Sequence, residues 1–437
     1  MPLKLRLFLG LWSALWTLGL PFILAYLRRR ARKDAVYGAH LAERFGRYNA
    51  RVQGAIWVHA VSLGELRSAV PLGRAFLARG ERLVITCFTP AGRREAEAVF
   101  APERAQGRVH VVWVPFETQW AYRGFFKAFR PKLGLVMEIE IWPRMVAASR
   151  AAGVPLFMCN AQYPSRAMAR DGRGLRLRQE VIRQFAGAFV KSSLQAERFA
   201  SVGVANIAIT GELRFEQPIP PALRTAGQHA RRALGLEGRR VIAFVSTVEG
   251  EDATYLEVMT RLRSTAETPF FLYVPRKPER FGICAELIAE AGFSRMRRST
   301  DLPATLDEHT AFSAPATLPE VLLGDSLGEM YFYLAMADLV VVGSGFTPKG
   351  AHNIIEPLAM GKPVFTGPVI WPIEYPFLEA EAAGVARRLT TAEDLATALA
   401  SPDLPSPAQI EAFFAEHAGG VERFFAALPG ALARAPR

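Results

Sequence analysis

The chain has 437 residues, of which 50% are hydrophobic, and its formal net charge is +12 at pH 7. This length exceeds what one hydrophobic core usually supports, so we expect two domains of about 150 to 200 residues each. The three cysteines, Cys87, Cys159 and Cys284, are far apart and lack zinc-site spacing, which favours buried thiols in a reducing compartment over a metal centre. Nucleic-acid binding is disfavoured, because no basic stripe is interleaved with aromatic residues.

The chain begins with an apolar segment. Residues 7–27 run for 21 positions without a charge, which is long enough to cross a bilayer core as a helix. Residues 1–50 hold nine Lys or Arg against two acidic residues, and the stronger basic cluster follows the apolar segment, so the bulk of the protein is expected on the cytoplasmic side. No small-residue cleavage site follows, which disfavours a removable signal peptide. Pro21 also permits a broken helix in the membrane interface, so residues 1–34 are predicted to be a membrane anchor, spanning or embedded.

Short apolar strands alternate with longer helical stretches after the anchor, which is typical of a doubly wound parallel sheet. Six strands are predicted in the first half, at 55–59, 82–87, 109–114, 133–138, 154–160 and 187–190. Four more are predicted in the second half, at 240–246, 270–274, 339–343 and 363–366. The pattern therefore predicts an α/β fold with two Rossmann-like domains in tandem.

A proline cluster separates the two series of strands. Pro218, Pro220 and Pro221 can continue neither a strand nor a helix, so residues 216–238 are predicted to form a semi-rigid, extended linker. The predicted domains are 35–215 and 239–437, the second with closing C-terminal helices. Two such domains facing each other across a central cleft form the GT-B architecture of glycosyltransferases, although a doubly wound sheet alone does not establish that chemistry.

One strand of the second domain runs into a loop rich in glycine and polar residues, VVGSGFTPKGAHNIIEP at 341–357. Gly343, Gly345 and Gly350 are expected to let backbone N–H groups approach a ligand closely. The polar side chains expected at this ligand are Lys349, His352, Asn353 and Glu356. An ordinary strand-to-helix turn would explain the glycines but not the density of polar side chains. The loop therefore predicts a binding site for a phosphorylated sugar donor.

Seven segments in order resemble the bacterial Kdo transferases, which attach 3-deoxy-D-manno-octulosonic acid (Kdo) to a lipid A precursor. They are IWVHAVSLGELRSAVPL at 56–72, MEIEIWPRM at 137–145, GELRF at 211–215, VSTVEGE at 245–251, PRKPERF at 275–281, GDSLGEM at 324–330 and GSGFTPKGAHNIIEP at 343–357. The resemblance implies a GT-B fold, a CMP-activated Kdo donor in the C-terminal domain and an acylated glucosamine disaccharide acceptor at the N-terminal domain. It also implies an inverting reaction without a cofactor or a metal. The basic residues beside the anchor are expected to attract the anionic lipid headgroups of the inner membrane.

Glu65 is the candidate general base. A strand predicted to end at His59 and a helix predicted to begin near Gly64 place Ser62 and Glu65 at the carboxyl end of that strand. Transfer of a sugar to a hydroxyl needs a group that takes the hydroxyl proton, and a positioned carboxylate can do this. Glu65 is similar to the catalytic glutamate of the family, and Ser62 is expected at the acceptor. The alternative is a first-turn glutamate that only complements the helix dipole.

Two further carboxylates are candidates for binding the acceptor. Glu138 and Glu140 follow an apolar strand and, at positions i and i+2 of an extended segment, would point to the same side. Trp142 offers a flat apolar face for a sugar ring or an acyl chain. We expect one of the two carboxylates to be functional and the other to be structural.

The donor is expected to meet cations at the ends of two strands. Departure of CMP leaves charge on a phosphate oxygen, and without a metal this charge needs cations and backbone N–H groups. Arg276 and Lys277 are the candidates. Ser246 and Thr247 are expected to cap the helix after their strand and to bind a phosphate or carboxylate. The resemblance places Asn353 and Glu356 toward the cytidine ribose and phosphate.

The chain also departs from the family. Val248 stands where the family usually has a histidine, Tyr163 and Pro164 alter a loop, and Ala351 replaces a glycine. A lost imidazole removes a hydrogen-bond partner. Three hypotheses therefore stay open: a Kdo transferase, a paralogue that binds a nucleotide or a lipid without transfer, and a transferase that uses another nucleotide sugar.

Overall fold

Two seven-stranded parallel sheets organise the chain in a computed structural model that describes residues 2–264 and 268–435. The first unit comprises Met1–Gln217 and Ala418–Arg437, and the second unit comprises Pro218–His417. The predicted pair of doubly wound α/β sheets is confirmed.

The sheet of the first unit has the strand order β3-β2-β1-β4-β5-β6-β7. Its strands are β1 Ile56–Ala60, β2 Leu83–Cys87, β3 Val109–Trp113, β4 Leu133–Met137, β5 Leu156–Ala161, β6 Gly187–Val190 and β7 Ile207–Ile209. The helices of this part are α1 Leu3–Ala31, α2 Leu41–Arg44, α3 Leu63–Ala78, α4 Pro90–Val99, α5 Ala101–Ala105, α6 Gln119–Phe129, α7 Pro143–Ala151, α8 Ser165–Asp171, α9 Leu177–Ile182 and α10 Ser193–Ser201. Short 3-10 helices occur at Ala35–Tyr37 and Leu213–Glu216.

The sheet of the second unit has the strand order β10-β11-β9-β8-β12-β13-β14. Its strands are β8 Val241–Thr247, β9 Phe270–Pro275, β10 Arg295–Arg297, β11 Val321–Leu323, β12 Leu339–Val342, β13 Val364–Thr366 and β14 Ala386–Arg388. Its helices are α11 Pro221–Ala233, α12 Asp252–Arg263, α13 Phe281–Glu290, α14 Arg298–Asp301, α15 Met330–Met336, α16 Ile355–Ala359, α17 Glu374–Ala382, α18 Ala392–Ala400 and α19 Pro407–His417, with a 3-10 helix at Pro278–Arg280.

The apolar N-terminal segment forms one continuous helix, α1, which runs through Pro21 without a break. By length and composition it could cross a membrane. One of its faces packs on the first unit: Leu9 is buried in the core, and the Trp12 indole N–H donates to Glu117 at 3.0 Å. At the start of the helix, Lys4 pairs with Glu180 at 2.8 Å. The helix is therefore held along its own unit by both apolar and polar contacts.

The chain ends on the first unit, which differs from the predicted domain boundary. Helix α20, Gly420–Ala433, covers the sheet face opposite to α1. The ring centroid of Phe424 lies 4.5 Å from that of Phe189, and the Asn206 amide donates to the carbonyl of Ala431 at 2.8 Å. Residues 418–437 thus belong with 1–217, because an apolar sheet face needs a covering helix.

The predicted extended linker at 216–238 is wrong. Pro221 is the first residue of helix α11, a position where a proline without an N–H is tolerated. Within the second unit, α11 packs on α15, and Arg231 of α11 pairs with Asp338 at 2.8 Å. The segment is a helix of the second unit.

Candidate functional site

The sheet of the first unit reverses its strand order between β1 and β4. β2 and β3 lie on one side of β1, whereas β5, β6 and β7 lie beyond β4 on the other side. In open parallel sheets such a reversal leaves a crevice at the carboxyl ends of the strands. Glu65 follows β1, and Glu138 and Glu140 follow β4. The switch point of the first unit is therefore acidic.

Glu65 lies in the first turn of α3, and both of its carboxylate oxygens accept hydrogen bonds. One oxygen accepts from the backbone N–H of Val61 at 2.8 Å and the other from the Ser62 hydroxyl at 2.7 Å. The Ser62 oxygen in turn accepts from the Glu65 N–H at 3.3 Å, so this pair caps the helix. The capping and catalytic interpretations are compatible, because capping holds the carboxylate in one position.

The surroundings of Glu65 disfavour its charge. Burial raises the pKa of Glu65 to about 7, and the negative charges of Glu138 and Glu140 add to this rise, while the hydrogen bonds from Ser62 and Val61 oppose it. A carboxyl group whose pKa lies near neutrality can both accept and return a proton at physiological pH. The group thus has the properties of a general base.

Glu138 does not continue the extended strand, so the extended geometry predicted for Glu138 and Glu140 is wrong, although both carboxylates lie near Glu65. Its φ is +57°, in the left-handed region, and the chain turns directly after β4. Its carboxylate accepts from the Arg214 guanidinium at 2.9 Å and lies 3.9 Å from the Lys191 ammonium. Glu138 is therefore ion-paired.

Glu140 has a different partner. Its carboxylate accepts from the Trp142 indole N–H at 2.9 Å, and burial raises its pKa against the effect of this hydrogen bond. The Trp142 ring meets the rings of His59 at 5.6 Å and Phe88 at 5.5 Å, both edge to face. Trp142 thus joins the acidic switch point to an aromatic cluster.

A buried network that was not predicted from the sequence lies behind these carboxylates. Lys191, which is 2% exposed, pairs with Glu212 at 2.6 Å, and the Asn160 amide donates to the same carboxylate at 2.6 Å. Arg214 donates to Ser68 of α3 at 2.6 Å as well as to Glu138. The GELRF segment, which contains Glu212 and Arg214, was the sequence feature that could have indicated this network.

The second unit also reverses its strand order, between β8 and β12. Ser246 and Thr247 lie at the end of β8, and the loop that follows β12 begins at Gly343. The expected capping role of Ser246 and Thr247 is wrong: α12 begins at Asp252 with Glu251 at its N-cap. The residues between β8 and α12 form a separate loop, and Ser246 itself has a φ of +57°.

Glu251 connects the two loops of this switch point and was not predicted as a site residue. Its fully buried carboxylate accepts from the backbone N–H of Val248 at 2.8 Å, from that of Ser344 at 2.7 Å and from the Tyr255 hydroxyl at 3.0 Å. Burial raises the pKa of Glu251, and these hydrogen bonds oppose the rise. The Glu251 side chain therefore fixes the positions of the two loops relative to each other.

Cationic side chains surround His352 at this edge of the sheet. The backbone N–H of Arg276 donates to the carbonyl of Thr247 at 3.0 Å, and the side chains of Arg276 and Lys277 are exposed. Burial lowers the pKa of His352 to about 3, and the charges of Arg276 and Lys349 contribute. The His352 Nε2 atom is buried and has no hydrogen-bond partner within 2–264 and 268–435. The cluster is therefore positive, with a neutral imidazole inside it.

The glycines of the loop are required by packing inside the protein. A Cβ on Gly345 would lie 2.3 Å from the Thr366 hydroxyl, and one on Gly350 would lie 2.4 Å from Pro372. Gly350 also has a φ of +85°, which favours glycine. Close approach to a ligand is thus not needed to explain Gly345 or Gly350.

Asn353 and Glu356 stand at the start of the short helix α16. The Asn353 side-chain oxygen accepts from the N–H of Ile355 at 3.0 Å, and Glu356 lies in the first turn. Two of the residues that depart from the family pattern pack inside the protein. Val248 is 7% exposed, and Tyr163 is fully buried and stacks on Phe199 at 5.6 Å.

Comparison with known proteins identifies the family. A family model described as 3-deoxy-D-manno-octulosonic-acid transferase (kdotransferase) matches residues 39–217. A 3-deoxy-D-manno-octulosonic acid transferase from Bordetella pertussis is 35% identical over 422 residues, which cover 93% of this chain and 96% of that protein. The chain belongs to the Kdo transferase family. Another Kdo transferase, from Haemophilus influenzae, is 31% identical over 361 residues, which cover 79% of each protein.

Solved structures share the fold of this Kdo transferase family member. A glycosyltransferase from Rickettsia africae matches with a TM-score of 0.56 at 11% identity, covering 89% of this chain and 99% of that one. Anabaena HepE in complex with UDP-glucose matches with a TM-score of 0.57 at 13% identity, covering 87% and 99%. At these identities the likeness shows the GT-B type α/β fold alone.

Proposed function

We propose that this Kdo transferase, a glycosyltransferase of lipopolysaccharide biosynthesis, moves Kdo from its CMP conjugate to the acylated glucosamine disaccharide of a lipid A precursor, with inversion and without a metal. The single observation that carries the proposal is the position of Glu65. Its carboxylate is fixed by Val61 and Ser62 at an acidic switch point, and its pKa is raised to about 7.

The chemistry on the acceptor side follows from this position. Glu65 takes the proton of the attacking acceptor hydroxyl as the new glycosidic bond forms, so no enzyme nucleophile is needed and the configuration inverts. Glu140 and the Trp142 ring bind the acceptor beside Glu65. Arg214 balances the charge of Glu138 and is a positioning residue, since it also bonds α3 through Ser68.

The donor side supplies positive charge for the departing CMP. Arg276, Lys277 and Lys349 surround the switch point of the second unit, and cations there stabilise the phosphate oxygen that gains charge. Asn353 and Glu356 lie at the start of α16. We assign them the role that the family resemblance implies, which is contact with the cytidine ribose and phosphate. Glu251 acts indirectly, because it holds the loops that carry these groups.

Helix α1 attaches the enzyme to the inner membrane on its cytoplasmic face. Large apolar side chains recur at helical spacing on the side of α1 that faces away from the first unit, and we call them the exposed stripe: Leu3, Leu7, Leu11, Leu15, Leu18, Phe22 and Tyr26. The basic residues Arg28, Arg29 and Arg30 follow in the last turn, where anionic lipid headgroups would attract them.

An in-plane position of α1 fits its contacts better than a spanning one. A spanning helix would leave its own unit and break the bonds of Trp12 to Glu117 and of Lys4 to Glu180. Glu117 is buried, and a buried carboxylate that loses a partner is costly. An interfacial helix keeps these bonds and buries only the exposed stripe in lipid.

The decisive experiment uses the protein in phospholipid vesicles with CMP-Kdo, an acylated glucosamine disaccharide acceptor and a chelator. Mass spectrometry should find the acceptor with added Kdo. A product that needs a divalent metal would contradict the charge-stabilisation account. Tight binding of CMP with no product from a panel of CMP-sugars would instead support the paralogue without transfer.

A further inference from the structure

An apolar groove lies between part of α1 and the rest of the first unit. Its volume is about 200 Å³. Trp16, Ile23 and Leu27 of α1 form one wall, and Val114 and Phe116, which follow β3, form the other. Within the described residues no acidic side chain lines the groove. An apolar ligand is the chemistry that this lining accepts.

The lining of the groove includes residues with different surroundings. Tyr26 lines the groove and is also 56% exposed as a member of the exposed stripe. Trp142 and Phe88 line it as well. The Trp142 indole N–H donates to Glu140, so this one side chain contacts both the apolar groove and the acidic switch point.

We propose that this groove binds one acyl chain of the lipid acceptor. The inference rests on the proposed function, since it assigns a binding site for part of that acceptor. With the sugar headgroup next to Glu140 and Glu65, the acyl chain would pass Trp142 into the groove, and its methyl end would point toward Tyr26 and the bilayer. Each methylene removed from water strengthens binding, so the groove can hold an acyl chain without any polar contact.

Arg44 also lines the groove, and its charge is met by aromatic rings. Its guanidinium lies 4.2 Å from the centroid of Trp113 and 5.7 Å from that of Phe88, and it donates to the carbonyl of Phe88 at 3.4 Å. In the part of the chain that the structure describes, it pairs with no carboxylate. The side chain therefore adds a positive charge to the wall of the groove, which would attract an anionic lipid headgroup.

The first test fills the groove from α1. Ile23→Trp adds bulk inside the groove, and we expect the KM for the acylated acceptor to rise at least tenfold. The kcat with a deacylated disaccharide acceptor and the KM for CMP-Kdo should stay within twofold of the wild type. Ile209→Trp, at a 52% exposed position on β7, is the matched control and should change none of these values. An equal loss with both acceptors, or no change with either, would overturn the proposal.

The second test needs neither turnover nor a variant. The wild-type protein is irradiated with the disaccharide acceptor carrying a diazirine near the end of one acyl chain, and the modified peptides are mapped by mass spectrometry. Label on Ile23, Leu27 or Phe116 supports the groove. Label confined to the exposed stripe, or equal groove labelling by a diazirine phospholipid, rejects it. Absence of transfer from CMP-Kdo would reject the proposed function, while the mapped label still decides the groove.

Discussion

Replacing Glu65 by glutamine keeps the shape of the side chain but removes the group proposed to accept the proton. General-base catalysis typically contributes about 10²- to 10⁴-fold to a rate, so kcat for Kdo transfer should fall by that factor in Glu65→Gln. Since the pKa of Glu65 is about 7, wild-type kcat/KM should rise with pH and level off above about 7. The variant should lack this rising limb.

The same substitution should stabilise the protein at high pH. A rise of the Glu65 pKa from 4.5 to about 7 corresponds to at most about 3 kcal/mol. Below pH 4.5 the carboxyl group is protonated in the folded and unfolded states, and its contribution to stability is then fully present. As the pH rises through about 7, the folded protein must hold a buried carboxylate, and this stability is lost. Glu65→Gln avoids that loss.

The assay combines initial rates with thermal unfolding at pH 4.5 and pH 8. We expect the melting temperature of Glu65→Gln to exceed that of the wild type at pH 8 and to match it at pH 4.5. Glu81→Gln removes a surface ion pair with Lys132 and should change neither rate nor pH dependence. Undiminished turnover of Glu65→Gln would refute its role as the base. An equal gain in melting temperature at both pH values would refute the argument from burial.

Three further outcomes follow from the second unit. Arg276→Gln should raise the KM for CMP-Kdo about tenfold or more, because a charge-assisted hydrogen bond to phosphate is worth about 1.5–3 kcal/mol, and should leave the KM for the acceptor unchanged in initial-rate measurements. Glu251→Ala leaves two buried backbone N–H groups without their acceptor and should cost about 3 kcal/mol of unfolding free energy, with Glu251→Gln intermediate by calorimetry. Gly345→Ala should cost about 1–3 kcal/mol through its clash with Thr366, whereas Gly282→Ala, on open helix surface, should not destabilise; equal melting temperatures would contradict the packing argument.

Ten strands were predictable from the sequence, and four short strands were not. The predicted strands match the observed ones to within one or two residues, because buried parallel strands leave continuous apolar runs. The missed strands have three residues each and are β7, β10, β11 and β14. Three residues give no periodic signal, and pairing with a neighbouring strand rather than composition makes them strands.

Site residues that directly follow a strand were predictable from the sequence. Ion pairs between residues far apart in the sequence were not. Glu65 lies where the strand-to-helix pattern places it. The partner of Glu138 was not evident, since Arg214 follows it by 76 residues and only the folded sheet brings them together. Ser246 and Thr247 were misassigned as helix caps because α12 begins later, at Asp252, after the loop that Glu251 holds.

Helix α20 makes the second unit an insertion within the first in terms of chain order. Translation completes the first unit only when the last residues have emerged, because Phe424 covers Phe76 and Phe189. A fragment that stops at residue 217 would therefore expose an apolar surface and be prone to aggregation. Expression fragments of the first unit should join residues 1–217 to 418–437 through a short designed linker, and a C-terminal tag should follow a flexible spacer.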